Sequence, residues 1–410
     1  MLALCLLAFL PLQDPPPPPP DQFIVGRNKR KVSGVLLRST EDTLWIGKGT
    51  RVMELDAEKV RERSGPRVVY PQYISRLYED YSKGANAERS LALVDWCREN
   101  GLTRDLRFHY LRALVDDPDN EVAHQALGHR RLRGRWRGKV GNGRSISWQE
   151  LQEYHMDVAT PWEIDTFHFH VRGAGRLIEV LNACADLEHL YRAYFQTFQE
   201  SVGFYELQKP IEVLIYPDAD SFPEQANTLD AYWDPSGRQL YTYFRDGKAS
   251  LLRREGTIAI LHATVREHAR DEPDLPGWIE EGIAAYMEAC MEGPPGSSSF
   301  NPDRVNFELF EAHVYHENPD SLTRVLNYSP GDFSASSNQM LKYGQSYTLA
   351  HFLLHGGDEK QLEGFSRFLI SCYDRKGSMS HFKNAMEIRD LDPLEEAWTT
   401  YAQTRLGEGS

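Results

Sequence analysis

Cysteine is scarce: the 410 residues hold five, with Cys5 close to the start. The other four, Cys97, Cys184, Cys290 and Cys372, lie far apart, and no Cys-x-x-Cys occurs. This excludes a cysteine zinc ribbon and a dense disulfide scaffold, and it points to buried thiols. Positive charge is in deficit, with 46 Lys and Arg against 60 Asp and Glu and a net charge of −14. A general nucleic-acid binder needs a basic face to displace counterions, so no nucleic-acid partner is expected. No apolar run reaches the ~20 residues that span a bilayer, so no transmembrane span is expected. The Gly-x-Ser-x-Gly nucleophile elbow and the Gly-x4-Gly-Lys-Ser/Thr phosphate loop are both missing, and Gly141-Asn-Gly143 is too short for a dinucleotide fingerprint. What the chain does have is 41% hydrophobic and 11% aromatic residues, enough for a packed core and too much for global disorder. Its length fits two or three domains at about 150 residues each.

Residues 1–12 form a short apolar run that reads as the apolar part of an export signal, with a frayed apolar terminus as the alternative. The basic n-region that normally precedes such a run is missing, which suggests a true start upstream. Export to a periplasmic or extracellular compartment is the expectation. Pro15 to Pro20 is a stiff extended spacer. Residues 1–21 are thus read as signal and spacer.

Residues 22–64 read as a small curled β module, with strands at Lys31–Arg38, Thr43–Gly47 and Arg51–Leu55. Over 65–135 the period turns helical. Helices are predicted over Ala87–Asn100, Arg104–Val115 and from Glu121, punctuated by Gly101 and by Asp116-Asp-Pro-Asp-Asn120. This pattern resembles a degenerate tetratricopeptide hairpin of about one and a half units, too few for a solenoid. Residues 136–160 read as a linker. The basic stretch leading into it, from Arg130 to Arg144 around Trp136, has an anion- or nucleic-acid-binding reading and a plainer one. In an acidic molecule the plainer one is preferred: a solvated connector with a stacked Trp.

From about 161 to 405 the chain reads as one α+β domain. Thr166–Val171 alternates like a strand, and two histidines at i and i+2, His168 and His170, share a strand face. No third metal ligand is evident nearby, and metal binding is not expected there. Leu177–Phe198 is an amphipathic helix, Ile211–Tyr216 a buried strand, Asp234–Gly237 a turn and Gln239–Phe244 another strand. Two helices follow, Ala249–Arg270 and Trp278–Ala289, broken at Glu272-Pro-Asp-Leu-Pro276.

The second of these helices begins Pro276-Gly-Trp278-Ile-Glu-Glu281-Gly282-Ile-Ala284-Ala-Tyr286. It resembles the Pro-x-Trp-x-x-Glu-Gly-x-Ala-x-Tyr helix of gluzincin-type zinc metallopeptidases, particularly the peptidase-MA-like families of secreted bacterial proteins. In those families a preceding helix carries His-Glu-x-x-His, whose histidines hold zinc while the Glu activates the bound water. The Glu of the second helix is the third ligand. The likeness extends to Tyr343-Gly-Gln-Ser-Tyr and to Leu394-Glu-Glu-Ala-Trp398. It implies a zincin-like C-terminal domain and assigns Glu281 the ligand position. It also makes Tyr343 a vestigial transition-state donor, with a tyrosine packed against the second helix as the alternative.

The His-Glu-x-x-His itself is damaged. In the preferred register it falls on Arg254-Glu255-Gly256-Thr257-Ile258, which keeps Glu255 as a vestigial general base and loses both imidazoles. In the other it falls on His262–Arg266 and keeps one. Arg and Ile have no lone pair to offer a metal. No cofactor is therefore expected, and the Arg254 guanidinium is expected to stand in for the metal beside Glu281 or Glu255. The reading is a catalytically inactive metallopeptidase-like protein. It would serve as a binding or scaffold module in the cell envelope, for a protein or peptide partner that the sequence leaves unknown. The alternative is a working Zn²⁺ peptidase with a rearranged site around His262 and Glu281. Arg254, Ile258 and His262 form one stripe at i, i+4 and i+8. The adjacent Glu280 and Glu281 are expected to point apart, so no glycosidase pair is indicated.

Overall fold

The computed structural model describes residues 19–408 except 50, 85, 142, 223–230, 235, 245–249, 269–273 and 334–337. The apolar run at 1–12, Cys5 and most of the proline tract lie outside the described residues. The chain mixes helix and sheet, as an α+β fold requires.

Five antiparallel strands come first: β1 (Asp21–Val25), β2 (Arg30–Ser39), β3 (Thr43–Lys48), β4 (Arg51–Asp56) and β5 (Val60–Ser64). They pair in the order β4-β3-β2-β1-β5 around a small core of Phe23, Leu44, Ile46 and Leu55. The three predicted strands are here, and two more flank them.

The helical segment holds α1 (Pro66–Ser82), α2 (Ala87–Glu99), α3 (Leu106–Asp116) and α4 (Glu121–Ala126). Asn86 and Asn120 cap α2 and α4 with their side-chain oxygens, and Gly101 at φ +77° follows α2. The next stretch corrects the expected linker. Residues 130–154 fold as β6 (Arg130–Leu132), β7 (Arg135–Val140), β8 (Arg144–Ser147) and α5 (Trp148–Tyr154). Trp136 is turned inward and stacks on His124 at 4.6 Å.

A second five-stranded sheet contains β9 (Trp162–Asp165), β10 (Phe169–Gly173), β11 (Ile211–Tyr216), β12 (Ala231–Asp234) and β13 (Gln239–Tyr243), ordered β12-β13-β11-β10-β9. The three central strands run parallel and both edge strands run antiparallel. The long α6 (Leu177–Ser201) makes the β10-to-β11 crossover and lies across the core. Thr166–His168 is the bend between β9 and β10 rather than part of a strand, so His168 and His170 do not share a strand face.

Then come α7 (Ser250–His268), α8 (Gly277–Cys290), the short hairpin β14 (Met291–Glu292) and β15 (Ser299–Phe300), and the helices α9 (Phe307–Val314), α10 (Leu322–Val325), α11 (Pro330–Phe333), α12 (Gln339–His351), α13 (Glu359–Tyr373), α14 (Met379–Ala385) and α15 (Asp392–Glu408). A single hydrophobic core runs from Tyr70 of α1 to Leu406 of α15. The helical segment and the C-terminal part therefore share one interior. The four described cysteines are free and buried.

Candidate functional site

The cleft is set by how α7 is rotated. On one side Arg253 is driven into the core, where it donates to the carbonyls of Met291 and Gly293 at 3.1 and 3.0 Å and to Ser298 Oγ at 2.6 Å. Ser298 in turn donates to Asp186 of α6. Three residues on, Gly256 lies against α6. A Cβ there would come within 2.8 Å of Leu190 and 3.2 Å of Leu187. These two contacts fix the helix, and the next residue round its axis, Arg254, is aimed at α8.

The eleven-residue stretch opening α8 is explained largely by packing. Pro276 sits in extended backbone as the N-cap. Trp278 is fully buried among Phe365, Phe368 and Phe382, its ring parallel to that of Phe368. Gly282 lets α8 meet α12 backbone to backbone, since a Cβ would stand 2.5 Å from the Ser346 carbonyl oxygen. Ala284 is fully buried, and Tyr286 meets His355 Nε2 through its hydroxyl at 2.9 Å. Glu280 and Glu281 are left facing α7 with chemistry to offer.

Glu281 accepts from Arg254 Nη2 in a tight ion pair. The guanidinium carbon lies 4.1 Å from the centre of the Tyr343 ring, which the close α8–α12 approach brings beside it. Burial opposes the charge on Arg254, and Glu281, Tyr343 and Glu255 outweigh it, so the group is more firmly cationic than a free guanidinium. Burial raises the Tyr343 phenol, and the guanidinium only partly offsets this. Tyr343 thus serves as the floor beneath the cation.

Glu255 faces the same cleft without a cation of its own. Burial first, and then the charge of Glu281, push its carboxyl up to about 8, with Arg254 opposing and Glu280 and Glu288 adding to the rise. At neutral pH it is mostly protonated, so only a minor fraction is in the ionised form a base needs. Glu288 is also raised, chiefly by burial, against the pull of Arg254 and Arg253.

Ile258 is buried one turn along α7. His262, a further turn on, meets Glu280 at 3.0 Å through Nε2 and packs beside Trp233 of β12. This corrects the His262–Glu281 pairing that the rearranged-site alternative needs. It also shows what Glu280 and Glu281 do: each addresses a different turn of α7. Among the described residues, no group of three or more His, Cys, Asp or Glu side chains is placed to hold a metal.

His168 and His170 go to separate carboxylates. His168 Nδ1 lies 2.9 Å from Glu188, and His170 Nδ1 lies 2.8 Å from Asp165. Sequence reasoning missed the partner roles of Glu280, Arg253 and Glu188. For Glu188 a signal existed: Asp186 and Glu188 fall in the apolar stretch from Ala183 to Leu190, and the structure pairs them with Ser298 and His168.

No protein-family model and no curated protein matches this chain.

Proposed function

We propose that residues 161–405 form a zincin-like domain in which a guanidinium has replaced the zinc ion, and that the protein is an inactive metallopeptidase-like binding module. The observation that carries this reading is the Arg254–Glu281 ion pair laid on Tyr343. In the resemblance, Glu281 holds the third-ligand position and Arg254 the first. A cation bonded to that carboxylate balances its charge as a metal would, but offers no open site for water. The raised Glu255 carboxyl supports the same reading, because the group that would activate the water is mostly protonated at neutral pH.

What remains is the α7–α8 junction beside β12, the edge strand of the second sheet, on which α7 packs. Such an edge takes an extended peptide through main-chain hydrogen bonds, so the partner class is a peptide or protein segment. The tetratricopeptide-like helices α2 and α3 pack on the same core and extend the binding body. Export to the cell envelope belongs to the same proposal and rests on the apolar run at 1–12.

Metal analysis of the purified protein tests the reading. The natural chain is expected to carry no stoichiometric zinc after dialysis and to leave a broad peptide library uncut. The R254H/I258H variant rebuilds two imidazoles one helical turn apart and is expected to take up one zinc per chain. Tightly held zinc or peptide cleavage in the natural protein would overturn inactivity. A folded R254H/I258H variant that ignores zinc would overturn the zincin-like ancestry.

A further inference from the structure

The three-stranded sheet β6–β7–β8 is chemically unlike the rest of the molecule. Between Glu121 and Glu150 there is no Asp or Glu, while seven Lys and Arg fall between Arg130 and Arg144. Since the whole chain carries −14, the remainder carries −21. The charges are also concentrated in space. Arg130, Arg131, Arg133, Arg135, Lys139 and Arg144 are all exposed. Arg130 stands directly across from Arg137 in the ladder, a like-charge pair that weakens a sheet unless an anion lies over it. None of the ion pairs among the described residues includes any of these side chains.

The inner face of this sheet is an aromatic platform. Trp136 stacks on His124, Trp148 meets the same ring edge-on, and Ile146 is buried beside them. The outer face is therefore held rigidly. At the β6–β7 turn the chain passes through Arg133 and Gly134, both at positive φ, and Leu132 is left 51% exposed between Arg131 and Arg133.

We infer that this ribbon docks on an anionic phospholipid surface, with its guanidinium groups on the phosphates and Leu132 entering the acyl boundary. Guanidinium groups match phosphate oxygens in bidentate fashion. A basic patch with an apolar tip gives both interactions that peripheral attachment uses. Nucleic acid fits less well. Single strands are held by stacking on exposed aromatics, and the one aromatic on these strands, Trp136, is turned inward. An acidic protein surface would use the arginines but leave Leu132 without a role.

The test is co-sedimentation of the full chain with vesicles of phosphatidylcholine alone or with about a third phosphatidylglycerol, at low salt and at about 0.5 M NaCl, where the Debye length is short. Binding is expected only to the anionic vesicles and is expected to weaken with salt. R130S/R135S/K139S changes exposed side chains only and should keep the melting temperature. It should lower vesicle affinity roughly 100-fold, at about fivefold per charge. L132S should weaken vesicle binding several-fold while leaving binding to polyglutamate or to a single-stranded oligonucleotide unchanged. Equal binding to neutral vesicles, or no loss in the triple variant, would overturn the proposal. Tighter binding to the oligonucleotide or to polyglutamate than to anionic vesicles would do the same.

Discussion

Glu188 of α6 and Glu255 of α7 are both withdrawn from water, and the protein treats them in opposite ways. Burial alone would raise both. Around Glu188 that rise is overcome: His168 supplies its backbone N–H at 2.7 Å and its ring Nδ1 at 2.9 Å, and the Tyr70 hydroxyl completes the shell. The carboxyl ends below its ordinary value and stays ionised. Around Glu255 the neighbours are mostly other carboxylates, and the cation that opposes them, Arg254, is committed to Glu281. The carboxyl ends at about 8. A group of the first kind ties α1, α6 and the β9–β10 bend together. A group of the second kind costs stability wherever it is made to ionise.

The largest effect that would sharpen this contrast is at Glu188. Replacing it by Ala leaves His168 without its acceptor in the core and Tyr70 with only the longer bond to the residue-188 carbonyl at 3.3 Å, and the loss is expected to be about 3–5 kcal/mol, read from denaturant unfolding at pH 7. Because its carboxyl is held low, its contribution is present above the ordinary carboxylate value and is lost as the pH falls through its folded value. The gap between Glu188→Ala and the natural protein should therefore narrow on acidification. A gap that is flat with pH would break the contrast from that side.

Glu255 carries the opposite sign. Its folded value of about 8 lies above the ordinary value of 4.5. The penalty on folding therefore grows as the pH rises from 4.5 to the folded value, stays constant above it, and is absent below 4.5. Glu255→Gln is expected to be more stable than the natural protein at pH 9, by on the order of 2 kcal/mol, and indistinguishable from it at pH 4.5. Thermal melts of the pair across that range read the difference directly. A destabilised Gln variant at pH 9 would mean that Glu255 is ionised and satisfied, as Glu188 is.

The smallest effect is at the rim of the cleft. His262 and Glu280 pair with side chains that are 16% and 17% exposed. His262→Asn is expected to cost no more than about 1 kcal/mol in chemical denaturation. A loss as large as that of Glu188→Ala would move this pair from the rim of the site into the structural core.

The parts of the site that could be read from the sequence follow single-helix rules. The α8 pattern from Pro276 to Tyr286 and the Glu272–Pro276 break before it located both helices within two residues of their observed ends. The i, i+4, i+8 stripe put Arg254, Ile258 and His262 on one side of α7. What stayed hidden depends on contacts between segments distant along the chain. Nothing near Arg254 says that Tyr343, 89 positions later, lies under it; that follows from Gly282 meeting the Ser346 carbonyl. His168 meets Glu188 across a crossover helix. The folded ribbon at 130–147 was missed because its turns were read as connector chemistry. Arg133-Gly134, and Gly141 with Gly143, adopt positive φ and reverse the chain. Basic strands with one aromatic between them do not alternate in the usual apolar-polar fashion, because the inward face is carried by Trp136, Gly138 and Val140.

The tethered cation at the α7–α8 junction also changes what the surroundings can do to the protein. A bound ion comes and goes with supply, with acidity and with competing chelators. A guanidinium linked to the backbone is always delivered with the chain and has no dissociation constant of its own. The charge balance at Glu281 is therefore built into the chain and does not depend on how much metal the compartment holds.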